Sequence, residues 1–473
     1  MLVLITFVLK AALAFYLSHL TTCQSPELKL GILARGEGDT TSYIHSMDNL
    51  IEQGDYFFWN GVRRVYAGRL PHYGTPYFIL RIFFSKTTAS DIYVLLQVLI
   101  DSIAAIVFAL LCFNVLKNIF AFWAGCLFYF LNINLFSLTL TMLPESLSLS
   151  FIVFFFYTFH RYWSESNRNY AVLAGAFLAV VTVLKPYLVI LYLPFFLCVL
   201  KKEQGTFSRS FQSVIVLSLP LILLLLPWII RNAVVLGKFI PSQESFTAGY
   251  NYTEADFAFR RFAGAWGGDF IFWNPQSAGC YFQRTPPVKC TFTMPDYAIV
   301  EGYTMKDVED LRQEYFRLQE NFSPELDKEV AEKFDRLTNI YKSQKPFMYY
   351  IGSRVSIAKT LFLHTNSNNL SINPSFKCYQ PYQMIFKILS FAVHILAVFV
   401  GAFGLIKLSY ERKISLMFAS VPLLIFLFFV SFKLTESRYF NHAFPVMLLG
   451  FVTVLSLAFN FTRDYFRNDK DTV

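Results

Sequence analysis

Long apolar runs separated by polar segments of very unequal length dominate the chain. A helix needs about 20 apolar residues to cross a hydrocarbon core of ~30 Å, and such runs recur at about 1–20, 92–112, 119–139, 144–160, 212–230, 382–407, 414–432 and 443–461. A further apolar stretch, 170–200, is interrupted by Lys185-Pro186. Lysine beside a helix-breaking proline is costly at mid-membrane and acceptable at a turn near the surface, so this stretch reads as two short spans. The pattern predicts a polytopic α-helical membrane protein of about ten transmembrane helices.

The two long polar segments, 21–91 and 231–381, carry helical periodicity of their own. After Asp39, residues Tyr43, Ile44, Met47, Leu50 and Ile51 fall at amphipathic spacing and Gly54 supplies a stop. Ser323-Pro324-Glu325-Leu326 is a helix start, with Ser as cap and Pro in the first turn. Leu326, Val330, Phe334, Leu337 and Tyr341 then share one face. A second amphipathic helix, at about 347–362, sets Phe347, Ile351, Val355, Ala358 and Phe362 opposite Gly352, Ser353, Ser356 and Lys359 and is expected to rest in the membrane interface. The division expected is an N-terminal transmembrane module, 1–230, an extracytoplasmic and mainly helical loop domain, 231–381, and a C-terminal transmembrane module, 382–473.

Composition agrees. The 473 residues are 55% hydrophobic, 18% aromatic and only 15% charged, far too apolar for an ordinary soluble domain. With ten spans both termini share a side, and basic residues in short loops select it. Lys117, Arg161, Arg168, Lys201, Lys202, Arg209, Lys407, Arg412, Lys413, Arg463, Arg467 and Lys470 fall on one face, against Lys185, Lys433 and Arg438 on the other. Both termini are therefore expected in the cytoplasm and both long segments outside. The net charge of +9 reads as topology signal and headgroup contact, because no polybasic stripe of nucleic-acid type occurs. Residues 1–20 lack the basic start of a signal sequence and read as an uncleaved first span.

Cys112, Cys126 and Cys198 lie in apolar runs, whereas Cys23, Cys280, Cys290 and Cys378 lie in the outer segments. An oxidising compartment then allows a Cys280–Cys290 disulfide closing a short loop, and a Cys23–Cys378 pair near outer membrane ends. No CxxC or HExxH motif supports a metal site. No cofactor is expected, and a divalent metal stays compatible with the sequence.

The chemistry-bearing candidates flank the spans. Gly36-Glu37-Gly38-Asp39-Thr40-Thr41-Ser42-Tyr43 follows the first span directly, and Asp39 is also well suited to cap the helix behind it. Arg69-Leu70-Pro71-His72-Tyr73 makes a rigid turn with one cation, of the kind that anchors at headgroup level. Lys10, Asp101 and Glu145 are the ionisable groups nearest span interiors, where such a residue is a functional candidate. Helix packing and snorkelling explain Lys10 and Asp101 equally well, and Glu145 fits either a site wall or a structural ion pair.

Several of these segments together resemble the dolichyl-phosphate-mannose protein mannosyltransferases and their bacterial relatives, the lipid A aminoarabinose transferases. Asp39-x-x-x-Tyr43 looks like the family's first-loop acidic motif, and Arg69-Leu70-Pro71 like its basic-x-Pro element. Leu143-Pro144-Glu145-Ser146 resembles the acidic start of the fourth span, and 175–186 the Gly-rich helix ending in Arg-Pro, here Lys185-Pro186. Pro227-Trp228-Ile229-Ile230-Arg231-Asn232 is similar to a Pro-Trp-x-x-Arg-Asn element, and Arg438-Tyr439 with Pro445 to a late Arg-Tyr motif. Glu37 precedes Asp39 by two positions where the protein mannosyltransferases have adjacent Asp-Glu, which favours the bacterial branch and its inner membrane.

The resemblance implies a fold of the GT-C glycosyltransferase type. It also implies inverting transfer of a sugar from a polyprenyl-phosphate donor to a glycolipid, polysaccharide or protein acceptor at the extracytoplasmic face. A lipid phosphate leaves as a stable anion, so one base and some cations suffice, where glycosidases commonly need two carboxylates. Asp39 is then the expected general base, with Glu37, Tyr43 and Glu145 positioning the acceptor. Arg69 and Arg231 are expected on the donor phosphate, for which the guanidinium fork is suited, with Lys86, Lys185 and Arg438 as further candidates. A transporter or flippase of lipid-linked sugars, or a non-enzymatic scaffold using 231–381, would account for the same hydrophobic pattern.

Overall fold

The computed structural model describes residues 1–24, 29–36, 39–59, 64–132, 135, 138–202, 207–243, 253–272, 274–286, 288–363, 381–432 and 437–470. They fall into two compact units, one built from 1–249, 365–425 and 438–473 and the other from 250–364 with 426–437. Helix dominates both, and the one sheet among the described residues is a two-stranded antiparallel ribbon, Phe58–Trp59 with Arg64–Val65.

In the first unit, α1 (Leu2–Gln24) leads to α2 (Thr40–Gln53), α3 (Gly74–Phe83) and the long α4 (Lys86–Leu116). There follow α5 (Ile119–Leu131), α6 (Pro144–Glu165), α7 (Arg168–Leu184), α8 (Tyr192–Lys202) and α9 (Phe207–Leu236). Much later come α14 (Pro381–Tyr410), α15 (Val421–Ser431), which straddles the two units, and α16 (Phe444–Lys470). Five segments are long and apolar enough to cross a membrane: Leu2–His19, Lys86–Leu116, Val214–Leu236, Ile388–Tyr410 and Arg438–Thr462. Ile119–Leu131, Arg168–Leu184 and Val421–Ser431 are apolar but shorter. The architecture is that of an α-helical membrane protein with five such helices among the described residues. The helix is broken at Lys185-Pro186, where α7 ends and a 3-10 segment, Pro186–Leu191, leads into α8.

Packing explains which helices are neighbours. Helix α4 is the hub, lying against α1, α5 and α6, and α6 continues the layer onto α7. Across the α1–α4 contact Lys10 forms a short ion pair with Asp101, both fully buried, and Tyr129 of α5 donates to the same carboxylate at 2.9 Å. Helices α14 and α16 approach backbone to backbone: a Cβ on Gly404 would stand 1.9 Å from the Gly450 carbonyl oxygen, and one on Gly450 2.0 Å from that of Gly401.

The loop ahead of α2 is tied down from below. Asp91 of α4 accepts the amides of Ile32, Leu33 and Ala34 at 2.9, 2.8 and 2.9 Å. Arg35 then bonds through its main chain to Leu140 and Met142 at 3.0 and 2.9 Å. That bridge sets the approach to Asp39 beside the approach to Glu145. Helix α2 ends at Gly54 in the left-handed conformation, φ 73°, as its sequence position requires.

The second unit is a helical domain with an aromatic core. Its helices α10 (Glu254–Ala265), α11 (Met305–Glu320) and α12 (Pro324–Gln344) surround Phe259, Phe262, Phe282, Tyr315 and Phe334. The Ser323 hydroxyl accepts from the Leu326 amide and opens α12, whose Val330, Phe334, Leu337 and Tyr341 are buried. A π-helical turn, Met348–Gly352, continues into α13 (Ser353–Leu363). Cys280 and Cys290 stand here as neighbouring thiols in side-chain contact. Cys378 lies outside the described residues, and of Cys23 only the helical backbone is described.

Candidate functional site

Five charged side chains from five distant stretches of the first unit converge on one site. Asp39 is the residue before α2, but its carboxylate makes no capping bond to that helix. It turns away: Oδ2 accepts from Arg438 Nη2 at 2.7 Å and Oδ1 from Arg69 Nη2 at 3.5 Å. The turn is held by Ser42, whose hydroxyl donates to the Asp39 carbonyl at 2.7 Å while accepting from Arg69 Nε at 3.1 Å. Arg69 also lies over the Tyr43 ring, 4.6 Å from its centroid.

A second carboxylate sits behind the first. Glu145, in the first turn of α6, is fully buried, and its Oε1 stands 2.6 Å from Lys185 Nζ and 3.7 Å from Arg438 Nη1. Arg438 therefore spans both carboxylates. Lys185 is placed by the α7 break itself, since the cation emerges where Pro186 ends the helix. Tyr439 lines the cluster, its ring centroid 5.2 Å from Lys185 Nζ and 5.1 Å from the Arg438 guanidinium.

Charge and burial set the state of Asp39. Burial pushes its carboxyl upward, but the Arg438 and Arg69 guanidiniums outweigh that and hold it down at about 2, from an ordinary 3.8. The side chain is still 23% exposed, so the ionised group is reachable from solvent. Three cations against two carboxylates leave an excess of one positive charge, the condition for holding an anion.

Beneath the charges runs a neutral hydrogen-bonded strut. His442 Nδ1 lies 2.8 Å from the Tyr187 hydroxyl and His442 Nε2 2.8 Å from the Ser148 hydroxyl, while Tyr187 also reaches the Tyr439 carbonyl at 3.0 Å. These contacts join the segments that carry Glu145, Lys185 and Arg438. Nothing in the sequence pattern singled out Ser148, Tyr187 or His442, each a polar residue in an apolar stretch.

Arg231 and Lys86 stand apart from the cluster. Arg231 donates to the main-chain carbonyls of Tyr66 and Tyr56 at 2.7 and 3.2 Å. Its neighbours in the motif act alike, Trp228 donating to the Ser242 carbonyl at 2.8 Å and Asn232 to that of Ile240 at 3.0 Å. The Pro-Trp-x-x-Arg-Asn element is thus a clamp on main-chain carbonyls of Tyr56, Tyr66, Ile240 and Ser242, and Tyr56 in turn donates to the Arg69 carbonyl at 3.3 Å. Lys86 pairs with Asp48 at 2.7 Å, in a cluster that also contains Arg81 and Tyr77. Glu37 lies outside the described residues. No protein-family model matches the chain, and no curated protein matches it either.

Proposed function

We propose that this chain is an inverting glycosyltransferase that moves a sugar from a polyprenyl-phosphate donor to an acceptor at the extracytoplasmic membrane face. The observation carrying this reading is the convergence of Asp39, Arg69, Glu145, Lys185 and Arg438, with a surplus cation and a reachable carboxylate. In this reading the bacterial inner membrane holds about ten spans, counting the shorter helices, with both termini in the cytoplasm and Asp39 outside.

The chemistry follows from those groups. The donor is a phosphodiester with one negative charge, which matches the surplus and competes with Asp39 for the guanidiniums of Arg438 and Arg69. As they turn to the phosphate, Asp39 loses the charges that hold its proton affinity low. Its carboxylate then takes the proton from the acceptor hydroxyl or amine as that atom bonds to the anomeric carbon from the face opposite the phosphate. The bond from that carbon to the phosphate oxygen breaks with its electron pair, and the polyprenyl phosphate leaves as an anion needing no proton. Glu145, fully buried behind Asp39, acts on the acceptor side by fixing Lys185 and Arg438, and Tyr43 and Tyr439 wall the site beside Arg69 and Arg438.

Purified protein incubated with polyprenyl-phosphate sugars tests this by release of polyprenyl phosphate. Asp39→Asn keeps the shape and removes the base, so transfer is expected to fall by ~10²–10⁴-fold with donor binding retained. Undiminished turnover in that variant would remove Asp39 from the mechanism.

A further inference from the structure

Within the second unit the distribution of charge changes abruptly after Asp335. Helices α11 and α12 carry acids and bases interspersed, whereas from 336 through 410 the chain contains no Asp or Glu at all. The first part of that stretch holds Arg336, Lys342, Lys345, Arg354 and Lys359. Such single-sign bias is not what a water-facing helix needs for solubility, where mixed charges serve. It is what an anionic surface selects.

The same stretch displays apolar side chains outward. Phe347 is 66% exposed, Tyr350 and Ile351 50% each, and Val355 61%. They follow one another at helical spacing through the π-helical turn into α13. The opposite side is already used, since Ser353, Ile357 and Leu361 are buried and Ser356 donates to the Gly267 carbonyl at 3.3 Å. Helix α13 therefore packs Ser353, Ile357 and Leu361 on its own unit, while Phe347, Ile351 and Val355 stay exposed among the described residues.

The far end of α13 indicates what lies beside that exposed face. Phe362 stacks on Phe426 with ring centroids 4.8 Å apart, and Phe426 belongs to the apolar helix α15. This contact joins the end of the segment to a helix of membrane-type composition, so a bilayer beside α15 would lie within reach of the exposed face. Aromatic residues, aliphatic residues and flanking cations together are the composition of an interfacial helix.

We propose that residues 347–363 form an interfacial anchor that buries Phe347, Ile351 and Val355 at the acyl–headgroup boundary. Its cations, Lys345 and Lys359 foremost, select anionic lipid headgroups. The assignment is independent of the reaction proposed above.

The test uses the full-length chain in proteoliposomes of phosphatidylcholine alone or with phosphatidylglycerol at about 3:1, with photoreactive p-benzoylphenylalanine built in at Val355. Adducts are identified by mass spectrometry after irradiation. Phospholipid adducts are expected, with the ratio of phosphatidylglycerol to phosphatidylcholine adducts raised about fivefold over the ratio in the bilayer, the effect of a single engaged cation. Raising salt to about 1 M, or the exposed-site pair Lys345→Gln and Lys359→Gln, is expected to abolish the over-representation while leaving lipid adducts in place. Adducts to another part of this chain or to a second protein overturn the anchor, as does a chain without lipid adducts. Lipid adducts in bulk proportion overturn the headgroup selectivity.

Discussion

Arg438 is the residue on which the site's electrostatics turn, because one guanidinium faces both Asp39 and Glu145. Its removal changes the pH response in a defined direction. The Asp39 carboxyl is held at about 2, below its ordinary 3.8, so the pair stabilises the fold fully above that ordinary value and the contribution is lost as pH falls toward about 2. In Arg438→Gln the folded-state Asp39 carboxylate is expected to protonate at higher pH, followed as the carboxylate infrared band of isotope-labelled Asp39. A band that disappears over the same window in both proteins would contradict the pairing. Donor binding is expected to weaken by more in Arg438→Gln than in Arg231→Gln, since among the described residues Arg231 binds the Tyr56 and Tyr66 carbonyls and is linked to the site through Tyr56 and Arg69. Equal losses in a donor-binding assay would make Arg231 a direct ligand.

At the scale of elements, two contacts hold helices in register by different means. The Lys10–Asp101 pair fastens α1 to α4 with both charges out of water. Lys10→Met leaves the carboxylate with Tyr129 as its partner among the described residues, and a broken buried pair costs about 3–5 kcal/mol. Replacing both, Lys10→Met with Asp101→Leu, is expected to recover most of that, read as the thermal midpoint in detergent. Between α14 and α16 the fit is steric, because the Gly450 carbonyl occupies the space a Gly404 side chain would take. Gly404→Leu forces the two backbones apart, and a loss of at least about 1–3 kcal/mol is expected from overpacking. An unchanged midpoint would mean that the helices separate freely there. The helix break at Lys185-Pro186 is an element of the same standing, since it converts what would be one long apolar helix into a hinge that delivers a cation.

Across the whole molecule, what was legible in the sequence was the set of ionisable residues beside hydrophobic runs. Asp39, Arg69, Glu145, Lys185 and Arg438 stood out as charged residues in the segments that carry the family resemblance, and the structure brings these five together. Arg231 and Lys86 looked identical by that criterion, yet their partners are two loop carbonyls and Asp48, which no linear spacing reveals. The opposite failure befell His442, Ser148 and Tyr187, whose neutral polar side chains give no signal until the fold sets them in line. The capping signal at Asp39 was misleading for a physical reason: two guanidiniums compete better for a carboxylate than the helix amides do. Arg438 lies 399 positions after Asp39, and this distance has a consequence for biosynthesis. A nascent chain has inserted nearly all of its helices before the last partner of Asp39 leaves the ribosome, so every shorter intermediate carries Asp39 and Glu145 without the guanidinium that faces both. Prematurely terminated products are for that reason expected to leave the site open between Asp39 and Glu145, and a separately expressed C-terminal fragment beginning ahead of Arg438 is the piece that carries the missing link.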